Sequence, residues 1–142
     1  MSRSGYTYDY DDIGSLNLYR ANIARTIGGK RGQAFLREMG AALDAMPVKE
    51  LVSEEIVRDP EHVCAIGSVA LARGLDVSQL DVEDGEAVGK TFGITAILAR
   101  EIAYENDEQG SHKETPAQRW TRMRAWVDEN LTKAPATPDQ GT

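Results

Sequence analysis

One cysteine, Cys64, and two histidines, His62 and His112, are the first side chains to consider for nucleophilic or acid–base chemistry. A cysteine nucleophile needs a base within hydrogen-bond reach. His62 stands two residues before Cys64, and on a helix this spacing turns the two side chains toward different sides. Apolar residues follow Cys64, and apolar surroundings disfavour the reactive thiolate. We therefore expect Cys64 to be a buried structural residue.

A group of carboxylates is the other candidate for acid–base or cation-binding chemistry: Glu101, Glu105, Asp107 and Glu108. Charged residues near a helix end usually form a solvated face, and their spacing does not match a calcium-binding loop. The chain also lacks the cluster of Cys and His residues that holds zinc. We therefore expect no catalytic residue, no metal site and no cofactor, and we predict that the protein is not an enzyme.

The glycine-rich segment GGKRGQ, residues 28–33, precedes a predicted helix, and helix N-termini attract anions. It lacks the Gly-x-x-x-x-Gly-Lys-Ser/Thr spacing of a phosphate loop, and no strand precedes it. The favoured interpretation is a turn between two helices with solvated basic side chains. Two alternatives stay open: nucleotide binding, and contact of Lys30 and Arg31 with an acidic partner or a phosphate backbone.

Composition narrows the class of protein. A chain of 142 residues with 41% hydrophobic residues suits one domain with one core. Its 23 acidic and 16 basic residues give a net charge of -7, which opposes general affinity for nucleic acid or anionic membranes, although a local basic face is compatible with it. A single cysteine cannot form an intrachain disulfide, and we find no spanning segment or signal peptide. We expect a cytoplasmic protein that does not bind membranes.

The least polar stretch, DPEHVCAIGSVALARG, runs from Asp59 to Gly74 and predicts a central helix. Asp59 would be its N-cap, Pro60 its first residue and Gly74 the residue just past its end. Residues 63–72 are apolar nearly all round the helix, so other helices should surround them and exclude water. His62 would then be a solvated residue of the first turn.

Apolar residues at helical spacing predict further helices before and after this one. Two precede it, one from Ser15 to the Gly28–Gly29 break and one that Pro47 stops. A short helix capped by Asp81 or Asp84 and ended by Gly93 follows, then a helix from Ile94 to about Asn106, and a last helix that begins with a capping box at residues 115–118. In that last helix we expect Trp120, Met123, Val127 and Leu131 inside, with Arg119, Arg122 and Arg124 outside.

Residues 48–57 are ambiguous. Val48, Val52 and Ile56 fit one helix face, whereas Ile56 and Val57 could instead pair with residues 62–66 as a short hairpin. We favour the helix. The chain is thus predicted to be an all-α single domain, a bundle of five to seven helices over residues 15–132 with at most a tiny β-hairpin. Residues 1–14 would be a flexible arm of alternating tyrosines and aspartates, and residues 133–142 a disordered tail.

The short helix, the Gly93 turn and the following helix also have the outline of a helix-turn-helix. The residues that would enter the DNA groove are Ala96, Ile97 and Leu98, which are apolar and cannot read base edges. Acidic neighbours would also repel phosphates. A structural helix pair is therefore the favoured interpretation.

Charged residues form two candidate partner-binding sets. The acidic set comprises Asp76, Asp81, Glu83, Asp84, Glu86, Glu101, Glu105, Asp107 and Glu108. The basic set lies on the first helical hairpin and comprises Arg20, Arg25, Lys30, Arg31 and Arg37. We expect the acidic set to meet a basic protein surface, and the basic set to contact phosphates or an acidic partner if it is used instead.

Several stretches resemble small uncharacterised proteins encoded by bacteriophages and prophages. They are GKRGQAFLREMGAALDAMP (29–47), VCAIGSVALARGLDVSQLD (63–81), FGI (92–94), EIAYEND (101–107) and ETPAQRWTRMRAW (114–126). A looser pattern, Cys-Ala-x-Gly followed by Asn-Asp and a Thr-rich helix start, is similar to other small bacterial proteins. The resemblance implies a phage or prophage origin and gives no activity that could be carried over. It also implies that Cys64, Gly67, Asn106 and Asp107 sit together.

These observations predict a non-catalytic, phage-encoded binding protein that modulates a host nucleic-acid-associated complex through its acidic surface, as an inhibitor of host defence of the anti-CRISPR kind would. The first alternative is a nucleic-acid-binding or regulatory protein that uses the basic hairpin. The second is a small-molecule sensor or enzyme, which would require a pocket that the sequence does not locate.

Overall fold

The computed structural model describes residues 13–59 and 61–132, with side chains described from Leu18 onward. These residues form six helices and one two-stranded sheet: α1 (Ile13–Gly28), α2 (Lys30–Ala45), β1 (Val57–Asp59), β2 (His62–Val63), α3 (Ala65–Arg73), α4 (Gly85–Phe92), α5 (Ala96–Glu108) and α6 (Pro116–Asn130). The predicted helical bundle with a tiny hairpin is confirmed. The expected arm, apart from its last two residues, and the expected tail lie outside the described residues. None of the helices described is long and apolar enough to cross a membrane.

Helix α3 is the centre of the core, as predicted, but it is shorter than the sequence pattern indicates. It begins at Ala65 with Cys64 as N-cap, whose Sγ accepts a hydrogen bond from the Gly67 N–H at 3.4 Å. The predicted N-cap at Asp59 is therefore wrong. The predicted end is confirmed, since Gly74 follows the helix with a left-handed φ of 69°. Residues 63–70 are buried, whereas Leu71 is 40% exposed, so the expected exclusion of water stops two residues early.

A β-hairpin replaces the start of the predicted central helix. Val57 pairs with Val63, and Asp59 pairs with His62. The favoured helix over residues 48–57 is wrong and the hairpin alternative is correct, because this segment makes its backbone hydrogen bonds across the chain. The Val52 N–H donates to the Val63 carbonyl at 2.9 Å, and the Ile56 carbonyl accepts the Cys64 N–H at 3.0 Å.

The close approach of this segment to α3 requires a glycine at position 67. A Cβ atom at Gly67 would lie 2.0 Å from the Ile56 carbonyl oxygen and 2.8 Å from the Val63 Cβ. Any side chain there would push the segment off the helix. Glycine 67 therefore sets the distance between α3 and the strand that precedes it.

The other helices pack on both sides of α3. Helix α2 contacts α1, α3 and α6, and α5 contacts α1, α3, α4 and α6. Leu36, Met39, Leu43, Ile102 and Met123 are fully buried where these helices meet. The caps follow local sequence: Asp84 caps α4, Gly93 ends it in the left-handed region, and Thr115 opens α6 with the predicted capping box.

Arg73 joins three helices at the end of α3. Its guanidinium donates to both carboxylate oxygens of Glu38 on α2, at 2.7 and 2.6 Å, and to the Phe92 carbonyl at the end of α4. The same group lies about 6 Å from the ring centres of Phe35 and Phe92. One arginine thus fixes the positions of α2 and α4 relative to α3.

Candidate functional site

The cysteine and the histidines occupy different environments. Cys64 is 1% exposed, whereas the His62 side chain is 47% exposed on the hairpin, where its Nδ1 lies 2.7 Å from Asp59 Oδ1. His62 is therefore a strand residue and not the helical first-turn residue that we expected. His112 is exposed in the loop after α5. The structure does not bring an imidazole to face the buried thiol.

Asn106 is a buried polar residue that joins three segments. It is 1% exposed; its Oδ1 accepts the Ala65 N–H at 3.1 Å, and its Nδ2 donates to the Val52 carbonyl at 2.9 Å. Its Nδ2 also donates to Asp107 Oδ1, which accepts the Glu54 N–H as well. The predicted proximity of Asn106 to Cys64 is confirmed, since Ala65 is the next residue. Asp107, a candidate partner-binding acid, makes internal contacts instead.

The arginines of α6 make hydrogen bonds within the fold and are not the solvent-facing residues that helical spacing predicts. Arg122 donates to both carboxylate oxygens of Glu114, at 2.6 and 3.0 Å, and to the carbonyl of Asn106. Arg119 donates to the carbonyls of Asn106 and Leu51. The prediction fails because these long side chains bend back toward the end of α5, where helix C-terminal carbonyls need donors.

Glu114 and Arg124 show the same internal pairing. The Glu114 side chain is only 8% exposed, and its hydrogen bond from Arg122 lowers its pKa. Arg124 is bonded to Asp44 on α2 and to Asp128 one turn along its own helix. None of the three arginines of α6 is therefore a free cation at the surface.

Glu105 on α5 is a partly buried carboxyl group in a negative environment. Burial and the charge of Glu101 raise its pKa to about 7. The positive charge of Arg122 partly offsets this rise, and the negative charge of Glu129 adds to it. Residues Ala99 and Arg100 of α5 lie against α4, and at about 100° per residue Glu101, Glu105 and Glu108 point to the other side of that helix. Asp107 does not share that direction and accepts the Glu54 N–H instead. The predicted acidic set is thus divided between two faces of the molecule.

The remaining five acids form one exposed segment, residues 75–86, which we call the acidic loop. Its carboxylates are Asp76, Asp81, Glu83, Asp84 and Glu86, and the segment contains no Lys or Arg. Among the residues that the structure describes, no cationic nitrogen lies within 4.0 Å of these five carboxylates.

The acidic loop has a fixed shape. Three of its aspartates accept a backbone N–H two residues further on: Asp76 from residue 78, Asp81 from residue 83 and Asp84 from residue 86, at 2.9 to 3.1 Å. The hydrogen bonds that the Asp76 carboxylate accepts from the backbone and side chain of Ser78 lower its pKa. Between the acids, the loop packs apolar side chains against the core: Val77, Leu80 and Val82. The sequence pattern identifies these acids, but the packing that fixes their positions depends on contacts that the sequence alone does not show.

The basic set is also divided. All five of its side chains are exposed, and none has a carboxylate within 4.0 Å in the described part of the chain. Only Arg25, Lys30 and Arg31 come together, on a groove of about 240 Å³ between the α1–α2 turn and the start of α5. Ile94 and Leu98 lie beneath them. We call this the basic groove; Arg20 and Arg37 do not line it.

The turn beneath the basic groove is held from inside by a buried glutamine. Gln33 is 5% exposed; its Nε2 donates to the carbonyls of Ile27 and Asn130, and its Oε1 accepts the Thr132 N–H. The turn is therefore attached to the end of α6. Leu98, which the helix-turn-helix interpretation would place in a DNA groove, is 1% exposed.

Comparison of the chain with protein-family models, with curated proteins and with solved structures finds no significant match. The arrangement of its own charges is therefore the basis for a functional argument.

Proposed function

We propose that this protein is a non-catalytic binding protein, and that its acidic loop occupies a basic surface of a nucleic-acid-associated complex. With the resemblance to phage and prophage proteins, the proposed setting is the cytoplasm of a bacterial host. There it would act as an inhibitor of a defence or transcription complex, by occupying the site that nucleic acid uses.

The observation that carries this proposal is the acidic loop: five exposed carboxylates in twelve residues with no basic residue among them. Concentrated charge of one sign steers a protein toward a surface of the opposite sign. Because hydrogen bonds and apolar anchors already fix the loop, little conformational freedom is lost on binding. Glu101, Glu105 and Glu108 are left out of the proposed contact set because they point away from α4, and Asp107 is left out because it makes hydrogen bonds within the fold.

Two acids of the loop suit mutation, because their carboxylates make no hydrogen bond or ion pair with the described part of the chain. Glu83 and Glu86 are exposed, whereas Asp76, Asp81 and Asp84 hold turns. The test variant is Glu83→Lys with Glu86→Lys. A matched control is Glu50→Lys with Glu61→Lys, which makes the same change of charge at exposed positions outside the loop.

The assay is displacement of host proteins from immobilised DNA. Wild-type protein should release a discrete subset of bound host proteins, and release should weaken as salt rises. The control variant should act like wild type and the loop variant should not, with both variants folded by circular dichroism. Equal release by the loop variant, or no release by wild type, would reject the proposal.

The basic groove supports a second candidate, direct binding of nucleic acid phosphates, because it gathers three exposed cations. Binding of this kind weakens steeply with salt. A gel shift at low salt should show a complex that Lys30→Glu with Arg31→Glu abolishes. Absence of any complex at micromolar protein would remove this candidate.

A further inference from the structure

Two grooves adjoin each other, because Ile94 lines both of them. The first is the basic groove, with Arg25, Lys30 and Arg31 around it. The second, of about 570 Å³, lies along α4 and is lined by Asp84, Glu86, Lys90 and small apolar residues. We call the second the acidic groove, since its two carboxylates outnumber its single lysine.

Opposite charges thus lie on the two sides of one buried residue. Ile94 is 7% exposed at the Gly93 turn, where the grooves meet. The acidic side is at the start of α4, and the basic side lies beyond its end. Helix α4 itself is eight residues, or about 12 Å, long.

A surface of this kind is complementary to itself. A two-fold interface places the same patch of both molecules face to face, so that residue i of one contacts residue j of the other and the reverse. With the axis near Ile94, the basic groove of each molecule would face the acidic groove of its partner. We propose that two copies of this chain associate through this surface, with Arg31 and Glu86 as the principal charges brought together.

A second copy fits this surface better than a nucleic acid does. A phosphate backbone following the basic groove past Ile94 would meet Asp84 and Glu86, which repel it. The overall charge of -7 opposes association of two copies at long range, but salt screens that repulsion beyond about 10 Å at ~0.1 M. Contact between oppositely charged grooves acts at shorter distance. The two grooves are small and offer little contact area, so the dimer should be weak and reversible.

Such a dimer would also cover part of the acidic loop. Asp84 and Glu86 belong to both surfaces, so self-association and the proposed binding of a host complex would exclude one another. Arg31 belongs to the dimer surface and not to the acidic loop. Substitution of Arg31 therefore tests the dimer without changing the acidic loop, and the two proposals can fail independently.

The experiment is sedimentation equilibrium of the whole chain at about 0.05 M and about 1 M salt, compared with charge-swapped variants. Arg31→Glu alone and Glu86→Arg alone should each raise the dimer dissociation constant by about tenfold or more, since the symmetry repeats each change at two contacts. The double variant exchanges the two charges within one chain and should restore the dimer. Arg37→Glu and Glu50→Lys are the controls at exposed positions off the grooves.

Wild type is expected to dimerise at low salt and to dissociate at high salt. A wild type that stays monomeric at low salt and high protein concentration would overturn the proposal, as would a dimer indifferent to both single substitutions. If the double variant fails to regain the dimer, Arg31 and Glu86 do not face each other and the proposed pairing is wrong. Circular dichroism of each variant confirms that it is folded.

Discussion

Replacing Glu105 by glutamine should stabilise the protein above neutral pH and do much less in acid. The pKa of Glu105 is raised from 4.5 to about 7, first by burial and next by the charge of Glu101. Between these values the unfolded chain loses the proton before the folded chain does, so folding stability falls as pH rises. The protonated Glu105 carboxyl therefore makes its full contribution to folding stability below pH ~4.5, and this contribution is lost as the pH rises through about 7. Glutamine keeps the size of the side chain and cannot ionise.

The magnitude follows from the size of the pKa change. At about 1.4 kcal/mol per pKa unit, the change from 4.5 to about 7 sets an upper limit of about 3.5 kcal/mol for the cost of ionising Glu105 in the folded state. The side chain is only partly buried, so solvent screening reduces that cost. We expect Glu105→Gln to raise the free energy of unfolding by about 1–2 kcal/mol at pH ~8.

The assay is urea unfolding followed by circular dichroism at pH ~8 and pH ~5, for wild type, Glu105→Gln and the exposed control Glu50→Gln. The gain from Glu105→Gln should be much smaller at pH ~5, where the folded wild type is already protonated at this site. The control should show little change at either pH. An equal gain at both pH values, or a loss at pH ~8, would refute the reasoning.

Three further predictions concern the core. Gly67→Ala should lower the free energy of unfolding in urea by about 3 kcal/mol or more, because the added Cβ would lie 2.0 Å from a carbonyl oxygen. Gly28→Ala is the control; a Cβ there has nothing within 4 Å, so stability should be unchanged or slightly raised. Equal losses of stability in the two variants would contradict this. Asn106→Ala should lower the free energy of unfolding by about 2–4 kcal/mol in the same measurement, because its buried partners lose their hydrogen bonds. A loss below ~1 kcal/mol would contradict the structural role of Asn106. Cys64 should react with a thiol reagent only as fast as the protein opens, and rapid labelling of the native protein would contradict its burial.

Signals within a few residues predicted several helix ends correctly, although the N-cap predicted at Asp59 is wrong. Asp84, Gly93 and the Thr115 capping box act as their residue types indicate, and Gly74 ends α3 as expected. These features depend on hydrogen bonds between near neighbours in the chain. Local sequence is therefore sufficient to find them.

The hairpin at residues 57–63 could not be decided in this way. Val48, Val52 and Ile56 are spaced for a helix, but the structure uses the Val52 N–H and the Ile56 carbonyl to bond residues of β2 and the cap of α3. The approach that allows these bonds depends on Gly67. The residue pattern of 48–57 therefore gives no indication that the conformation of this segment depends on a glycine ten residues further along the chain.

Charged residues were the least predictable part, because their roles depend on what lies across the fold. Arg122 has the helical position of a solvent-facing residue, yet it binds Glu114 and a carbonyl at the end of α5. Asp107 was grouped with partner-binding acids and accepts the Glu54 N–H instead. The acids of residues 76–86 kept their predicted exposure, since no basic residue stands near them in the sequence.

The division of charges bears directly on where recognition energy can come from. A carboxylate such as Glu114 would have to give up two hydrogen bonds from Arg122 before it could bind a partner, so little would be gained. The exposed carboxylates of the acidic loop and the cations of the basic groove have no ion pair to break among the described residues. Contact with opposite charge is therefore a net gain for these two surfaces. For that reason we place both proposed interactions there and assign the buried polar groups to stability.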